Sequence, residues 1–402
     1  MLKTTRLKDS LKFQVFVFIL IRIVFNTTVR MVYPFLPVFG RGLGVDLGTL
    51  SRAIMLRSAT GVFGPFLATI ADIKGRKTGM MLGISLFTVG MGLMLVWPSY
   101  ITFVIALVVS MLGLFAFLPS MQAYFGDKVP YRQRGFVLAL TEFSWSLAFI
   151  IGIPVIGFLI VRFSWQAVFP VFTIAGGLAL GVISWMLPNE QSPVDGDARI
   201  WKTLSKVFTY TPALAGALIG FSISASNELL NLIFGVWLEN SFGVKIATLA
   251  AAAVVIGVSE LGGEALVGGT TDRIGKRRAV AGGLILNSLA AVALPIAGRS
   301  LAGALVGLFF FYLTFEYTIV SSIPLMTEIL PTARATMMAA FISATSVGRA
   351  VGDLLAPPLY EFGVSTAILS GILFVVGGIL CFNLLAGFGL VVLNSKLGGE
   401  LG

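Results

Sequence analysis

Apolar positions in this chain come as solid runs rather than in alternation with polar ones. Residues 78–126, 163–189, 279–298 and 362–395 contain no charged side chain. A helix needs about 20 apolar residues to cross the hydrocarbon of a membrane. The first run is long enough for two crossings and is divided by the turn signal Trp97-Pro98-Ser99. Barrel strands would show alternating segments of about 10 residues instead. The runs predict twelve helices: 13–38, 48–71, 78–97, 100–123, 135–160, 165–187, 208–238, 246–270, 279–298, 301–325, 334–358 and 364–392. One long polar connection, 188–206, holds Pro188, Pro193, three acids and three bases, and separates six helices from six. The expected organisation is a bundle over 1–187, a cytoplasmic linker over 188–206 and a second bundle over 207–402.

The two halves repeat at an offset of 200 residues. Asp72, Gly75, Arg76 and Lys77 are matched by Asp272, Gly275, Lys276 and Arg277; Arg134 is matched by Arg334 and Gly152 by Gly352. One residue out of step, Gly44-Val45 recurs as Gly243-Val244. Parallel halves related by an axis along the membrane normal are a mark of secondary transporters, with the substrate near mid-membrane at the repeat interface.

Composition adds limits. Hydrophobic residues make up 57% and charged residues 11%, with mean hydropathy +0.97. The net charge of +10 could point to nucleic acid, but its distribution is topological. With the amino terminus cytoplasmic, 19 bases fall on that side against four outside, and five more lie in the membrane. That bias matches the positive-inside rule and places both termini in the cytoplasm. The single Cys381 excludes an intrachain disulfide, and the absence of histidine removes imidazole from any metal site or proton relay. No phosphate-binding loop is present, since Gly275-Lys276 lacks a following Ser or Thr. No cofactor is expected, and an enzyme finds no recognisable nucleophile, metal or acid–base pair.

The connection between helices 2 and 3 reads Ala68-Thr-Ile-Ala-Asp72-Ile73-Lys74-Gly75-Arg76-Lys77, and that between helices 8 and 9 reads Gly268-Gly-Thr-Thr-Asp272-Arg273-Ile-Gly275-Lys276-Arg277. This resembles the signature loop of the major facilitator superfamily. The second copy matches throughout; the first has Ala68 for Gly and Ile73 for Arg. Gly75 and Gly275 permit the positive backbone angle of a very short turn. An aspartate here can accept hydrogen bonds from the amino-terminal end of a neighbouring helix. The resemblance implies a twelve-helix, all-α fold of two parallel six-helix bundles. It also implies a conformational latch at Asp72, Gly75, Arg76, Asp272, Arg273 and Gly275. Asp127-Lys-Val-Pro130 with Arg132 and Arg134, and Glu328-Ile-Leu-Pro331 with Arg334, also look like this superfamily. Gly152-Ile-Pro154-Val-Ile-Gly157 keeps part of the helix 5 pattern of its drug and proton antiporters, and Gly348-Arg349-Ala-Val-Gly352-Asp353 is a helix 11 counterpart. A packing role for these glycines is the competing explanation.

Ionisable side chains inside a membrane are costly and functional by default. They fall at Arg22, Arg30, Arg52, Arg57, Glu142, Glu228, Glu260, Glu264, Glu316, Arg349 and Asp353, and on no residue of helices 3, 6, 9 or 12. The first half has four Arg and one Glu, net +3; the second has one Arg and five acids, net −4. Arg22, Asn26 and Arg30 share a helical face. These three, with Arg57, Asn227, Glu228 and Glu316, are the candidate substrate-binding residues, the Arg cluster taking an anionic or zwitterionic end. Glu260, Glu264 and Asp353 are the candidate proton carriers, because neighbouring carboxylates disfavour a second charge. The competing readings are that Arg349 and Asp353 neutralise each other, and that Arg52 reaches the outer headgroups.

The expectation is an inner-membrane secondary transporter that exports a small amphipathic molecule by alternating access, as a proton antiporter. The alternatives are a lipid or lysolipid flippase, or a facilitator of sugars or organic anions. The expected partners are the lipid bilayer, a small-molecule substrate and protons, with the chain acting as a monomer and binding no nucleic acid.

Overall fold

The computed structural model describes residues 10–67, 74–188, 209–330, 334–366 and 371–398. Asp72 and all of the expected linker but Pro188 lie outside them. Among the described residues all regular structure is helical. Ten helices are long and apolar enough to cross a membrane. The two predicted crossings missing from that ten are helices 2 and 11. Helix 2 is interrupted: Leu47–Ala59 is followed by a tight turn, Thr60–Phe63, and helix resumes over 64–67. Helix 11 is a continuous 32-residue helix, Arg334–Ser365, whose apolar run is diluted by Ser343, Thr345, Ser346, Arg349 and Asp353.

Proline explains most departures from the expected boundaries. Helix 1 is two pieces, Leu11–Arg30 and Leu36–Leu43. Pro34 lacks the N–H that would bond back to residue 30, and Pro37 sits in the first turn of the second piece, where no N–H is needed. In helix 2, Pro65 forces the turn at Thr60–Phe63, where the Thr60 hydroxyl donates to the Arg57 carbonyl at 2.5 Å. Helix 5 runs Tyr131–Glu142, Ser144–Leu147, one wide π turn at Ala148–Gly152, then Ile153–Arg162. Pro154 cannot donate to residue 150, and the widened turn absorbs that loss. Helix 11 behaves oppositely. Pro357-Pro358 reads as a stop in sequence, yet the helix continues through it to Ser365. Helix 12 accordingly starts at Leu373 and not at 364. Membrane helices tolerate such prolines when neighbours satisfy the freed carbonyls.

The repeat is written in the backbone. Gly44 and Gly243 end helices Leu36–Leu43 and Thr211–Phe242 in the left-handed conformation, φ 69° and 61°, the usual glycine C-cap. Gly75 and Gly275 turn helix 2 into 3 and helix 8 into 9 at φ 92° and 89°. At the start of helix 3 Arg76 Nε donates to Asp127 Oδ2 at 3.2 Å, at the end of helix 4. At the matching place in the second half Lys276 pairs with Glu328. The sequence presents these as separate charge clusters; packing joins them in pairs. Each is exposed enough to contribute less than about 1 kcal/mol.

The contacts divide the chain into two compact units: Met1–Val32 with Phe63–Gly196, and Tyr33–Val62 with Asp197–Gly402. Residues 33–62 therefore depart from the bundle expected over 1–187. The reason is local. A Cβ on Gly235 would lie 2.7 Å from the carbonyl oxygens of both Tyr33 and Pro34, so only glycine lets helix 7 come this close to the turn after helix 1. Helix Leu47–Ala59 also packs along Arg334–Ser365. Its own start is capped by Asp46, whose Oδ1 accepts from Thr49 N–H at 2.6 Å. That hydrogen bond holds the exposed Asp46 carboxyl below its usual range.

The first unit has an aromatic core, with Phe25 stacked on Phe117 at 5.2 Å between ring centres and against Phe87 at 4.5 Å. Helices 3 and 4 touch through glycine: a Cβ on Gly83 would meet the Gly113 carbonyl oxygen at 2.5 Å, and the reverse holds. The second unit is built around Ile219, Val280, Phe315, Met326, Phe341 and Leu390. Buried amides join its outer helices, Asn383 Nδ2 donating to Asn287 Oδ1 at 3.0 Å.

The repeat-matched Gly152 and Gly352 do the same job in each unit. A Cβ on Gly152 would overlap the hydroxyl of Thr27 in helix 1; one on Gly352 would lie 2.7 Å from Glu228 Cβ in helix 7. Thr27 is buried and β-branched, so it cannot swing aside. Gly152→Ala should lower stability by about 1–3 kcal/mol, read as a lower unfolding midpoint in detergent. Gly177→Ala, with nothing within 4 Å of its Cβ, is the control and should leave the midpoint in place.

Candidate functional site

The second unit holds a buried charged network. Arg57 Nη2 donates to the Tyr33 hydroxyl at 2.6 Å. One residue along the same helix, Ser58 Oγ donates to Asp353 Oδ2 at 2.7 Å. The other oxygen of Asp353, also buried, has no hydrogen-bond partner among the described residues. Glu228 accepts from Asn231 Nδ2 at 3.3 Å, and Asn231 in turn accepts from the Tyr312 hydroxyl at 3.1 Å. Glu228, Arg57 and Arg349 all act electrostatically on Asp353, Arg57 more strongly than Arg349. The expected neutralisation of Asp353 by Arg349 is therefore shared with Arg57. Helix 2 brings a second positive charge to Asp353, because Gly352 and Ser58 draw three helices onto one point. Paired burial is what makes such charges tolerable, since an uncompensated one is strongly destabilising.

A second acidic seam joins helices 8 and 10. Glu260 and Glu316 are buried and Glu264 is half-buried. Gly263 lies between the two helix 8 acids, and its absent Cβ would sit 2.9 Å from Glu316 Cβ. Below it, Thr270 meets Tyr317 at 3.2 Å and Thr271 meets Ser321 at 2.9 Å. Asn227 is buried on helix 7 with its side-chain carbonyl unpartnered among the described residues. No group of three acidic or sulfur side chains is placed to hold a metal, among those residues.

In the first unit Arg22, Asn26 and Arg30 do share one face, and all three are buried. That face is turned onto helix 5. Arg22 Nη1 and Nη2 donate to the two oxygens of Glu142, each at 2.8 Å, and Nη1 also reaches Thr141 Oγ1 at 3.1 Å. Asn26 Nδ2 donates to Ser144 Oγ at 3.2 Å. Arg30 donates to the Trp145 carbonyl at 3.0 Å and lies 4.2 Å and 3.5 Å from the centres of the Trp145 and Phe149 rings. Helix 5 thus occupies the face on which an anionic end was expected. Helix 1 offers its opposite face to a hydrocarbon cavity of about 320 Å³, lined by Val17, Ile21, Phe25, Phe87, Ala179 and Val182 among others.

The latch residues are only partly described. Asp272 and Arg273 are exposed, and Asp272 makes no hydrogen bond or ion pair among the described residues. Arg76 binds Asp127 instead. Arg52 is exposed and donates to Thr49 Oγ1 at 2.8 Å, in keeping with a side chain that reaches outward. Sequence reasoning undervalued Glu142 and missed Ser58 and Thr141. Glu142 was legible as a lone acid among four Arg in its half; a serine or threonine in an apolar helix gives no such signal.

Comparison with known proteins agrees with this architecture. The family model of the Major Facilitator Superfamily matches residues 18–353. The MFS-type transporter YwfA of Bacillus subtilis (strain 168) is 25% identical over 342 residues, 82% of this chain and 81% of that protein. The quinolone resistance protein NorA of Staphylococcus aureus (strain MRSA252) is 27% identical over 214 residues, 51% of this chain and 54% of its own. Among solved structures, a bacterial homolog of the human lysosomal transporter Spinster, inward-facing and unoccupied, aligns with TM-score 0.77 at 13% identity, covering 96% of this chain and 98% of that one. A D-xylose-proton symporter aligns at TM-score 0.74 and 17% identity, over 93% and 96% of the two chains. Twin sets of membrane helices, glycine turns and ion pairs repeated in both halves, and a family match across most of the length make this chain a multi-pass membrane transporter belonging to the major facilitator superfamily.

Proposed function

We propose that this transporter exports a small amphipathic organic molecule in exchange for protons, by alternating access. The observation that carries the reading is Asp353, fully buried in the field of Glu228 and Arg57, with the Ser58 hydroxyl donating to it. An ionisable group kept inside the membrane at such cost marks an ion or substrate pathway. Proton binding there would weaken the hold of Arg57 on helix 11, which is how a proton becomes a conformational change. Asp353 with Glu228 ranks ahead of Glu260 and Glu264 as the carrier, because it ties three helices together. The likeness to a quinolone resistance protein supports export. The protein resides, on this reading, in the inner membrane with both termini cytoplasmic, and the Asp272 loop acts as a latch that engages in the other conformation.

The test is reconstitution of the full chain into liposomes with an imposed pH gradient and a panel of amphipathic dyes and lysolipids. Dye flux that collapses when the gradient is dissipated supports proton exchange; flux indifferent to pH supports a facilitator. A second reading, a lipid or lysolipid flippase, is favoured by the hydrocarbon cavity beside helix 1. Lysolipid movement without dye movement in the same liposomes would select it.

A further inference from the structure

The hydrocarbon cavity beside helix 1 lies at a similar depth on each helix that lines it. On helix 1 it runs from Val17 to Phe25, six and fourteen residues after Leu11. On helix 3, Arg76–Val96, it takes Ile84 and Phe87. On helix 6, Val168–Met186, it ends at Val182, four residues before the helix does. At 1.5 Å per residue these positions fall about 6–21 Å from the end of the bundle where helix 1 starts. That is the depth of one leaflet in a hydrocarbon core about 30 Å thick. No lining side chain is polar. A polar cargo would leave its own donors and acceptors unpaired here, at the full cost of desolvating them; a hydrocarbon chain has none. Leu178, which lines the cavity, also belongs to an exposed apolar stripe with Ile174 and Trp185. Their helical spacing gives helix 6 an uncharged outer face of the kind that meets lipid.

The near rim of the cavity is basic. Phe13, one turn before Val17, meets Trp185 edge-on at 6.4 Å between ring centres and closes helix 1 against the end of helix 6. Lys77, seven residues before Ile84, reaches to the same place. Its Nζ donates to the carbonyl oxygens of Ser184 and Leu187 at 2.9 and 2.7 Å. An ammonium carries three hydrogens, so one is left for a ligand. Lys12, next to Phe13, and Lys74, three residues before Lys77, are both exposed. Among the described residues these three helix ends carry no acid. Arg76 is engaged with Asp127 of helix 4, while Lys12, Lys74 and Lys77 have no acidic partner among those residues.

An apolar slot under a positive rim fits an amphiphile with an anionic head. We propose that this cavity is the resident site of an anionic phospholipid, drawn from the leaflet on the amino-terminal side. One acyl chain lies between helices 1, 3 and 6, and the phosphate sits at Lys77. Basic pockets between membrane helices hold anionic headgroups in this way. The cavity's volume of about 320 Å³ is at the small end of the roughly 300–1,000 Å³ of ligand pockets, room for one chain and not for a whole lipid. The lipid stays in place while cargo moves, so the proposal rests on neither reading of the cargo.

The experiment titrates the purified full chain in detergent with dioleoyl phosphatidylglycerol, dioleoyl phosphatidylcholine or glycerol phosphate, and counts bound ligand by native mass spectrometry. Wild type should hold one phosphatidylglycerol at least tenfold more tightly than phosphatidylcholine, and glycerol phosphate should not bind. Ala179→Phe fills the cavity from helix 6 and should weaken phosphatidylglycerol at least tenfold. Lys77→Gln keeps an amide for the Ser184 and Leu187 carbonyls but removes the charge, and should abolish the preference between the two lipids. Lys77→Arg should keep that preference. Leu384→Phe, on the exposed face of helix 12, is the control and should bind as wild type does. Each variant is checked for native helicity and a single elution peak; if Ala179→Phe does not fold, Lys77→Gln decides. Equal wild-type affinity for the two lipids overturns the proposal, as does glycerol phosphate binding as tightly as the lipid. Undiminished phosphatidylglycerol binding in folded Ala179→Phe or Lys77→Gln, or an equal loss in Leu384→Phe, does the same. So does wild-type passage of phosphatidylglycerol across liposomes that Ala179→Phe stops, because the cavity is then part of the cargo path.

Discussion

Glu142→Leu should destabilise the protein by about 3 kcal/mol, at the top of the range expected for Gly152→Ala. The change strands Arg22 in the membrane interior with only Thr141 as a side-chain partner. Breaking a buried pair by deleting one member costs about 3–5 kcal/mol; the lower end applies because the Glu142 side chain is half-exposed. The paired change Arg22→Met with Glu142→Leu removes both charges and leaves apolar side chains between the same helices, so most of the loss should return. Unfolding of the two single variants and the double variant in detergent measures the coupling directly. Additive losses, with the double variant the least stable of the three, would show that the ion pair is incidental to the packing of helices 1 and 5.

Asp353→Asn should have the largest effect on transport. The amide preserves shape and still accepts from Ser58, so the fold survives, but Arg57 loses one of the two carboxylates that act on it and the site can no longer take up a proton. Proton-driven flux in liposomes should drop at least tenfold, equivalent to about 1.4 kcal/mol of barrier. Ser58→Ala removes one neutral hydrogen bond, worth about 1 kcal/mol, and should slow flux only modestly. Glu260→Gln and Glu264→Gln should keep more of the pH dependence than Asp353→Asn does. If they lose it and Asp353→Asn keeps it, the helix 8–10 seam is the carrier and the Asp353 network is structural. Glu228→Gln belongs with Asp353→Asn in this scheme, because the two carboxylates share one electrostatic environment.

What the sequence alone determined is whatever depends on spacing along the chain. Solid apolar runs dictate membrane helices because the hydrocarbon leaves no alternative for the backbone. The offset of 200 residues announces two copies of one unit, and the structure repeats even its glycine turns and helix-end ion pairs within one residue of that offset. The shared face of Arg22, Asn26 and Arg30 was equally readable, being a property of a single helix. What lies across from a face was not. Nothing local says that Arg22 meets Glu142, 120 residues away, rather than a ligand. Nor does it say that Ser58 meets Asp353 across 295 residues. Those pairings depend on where Gly152, Gly235 and Gly352 allow backbones to approach, which is a matter of two helices and not of one. Proline shows the same division. Pro34, Pro65 and Pro154 each lack an N–H in any context, but whether a helix breaks, widens or carries on, as at Pro357-Pro358, is decided by the neighbours that can satisfy the freed carbonyl.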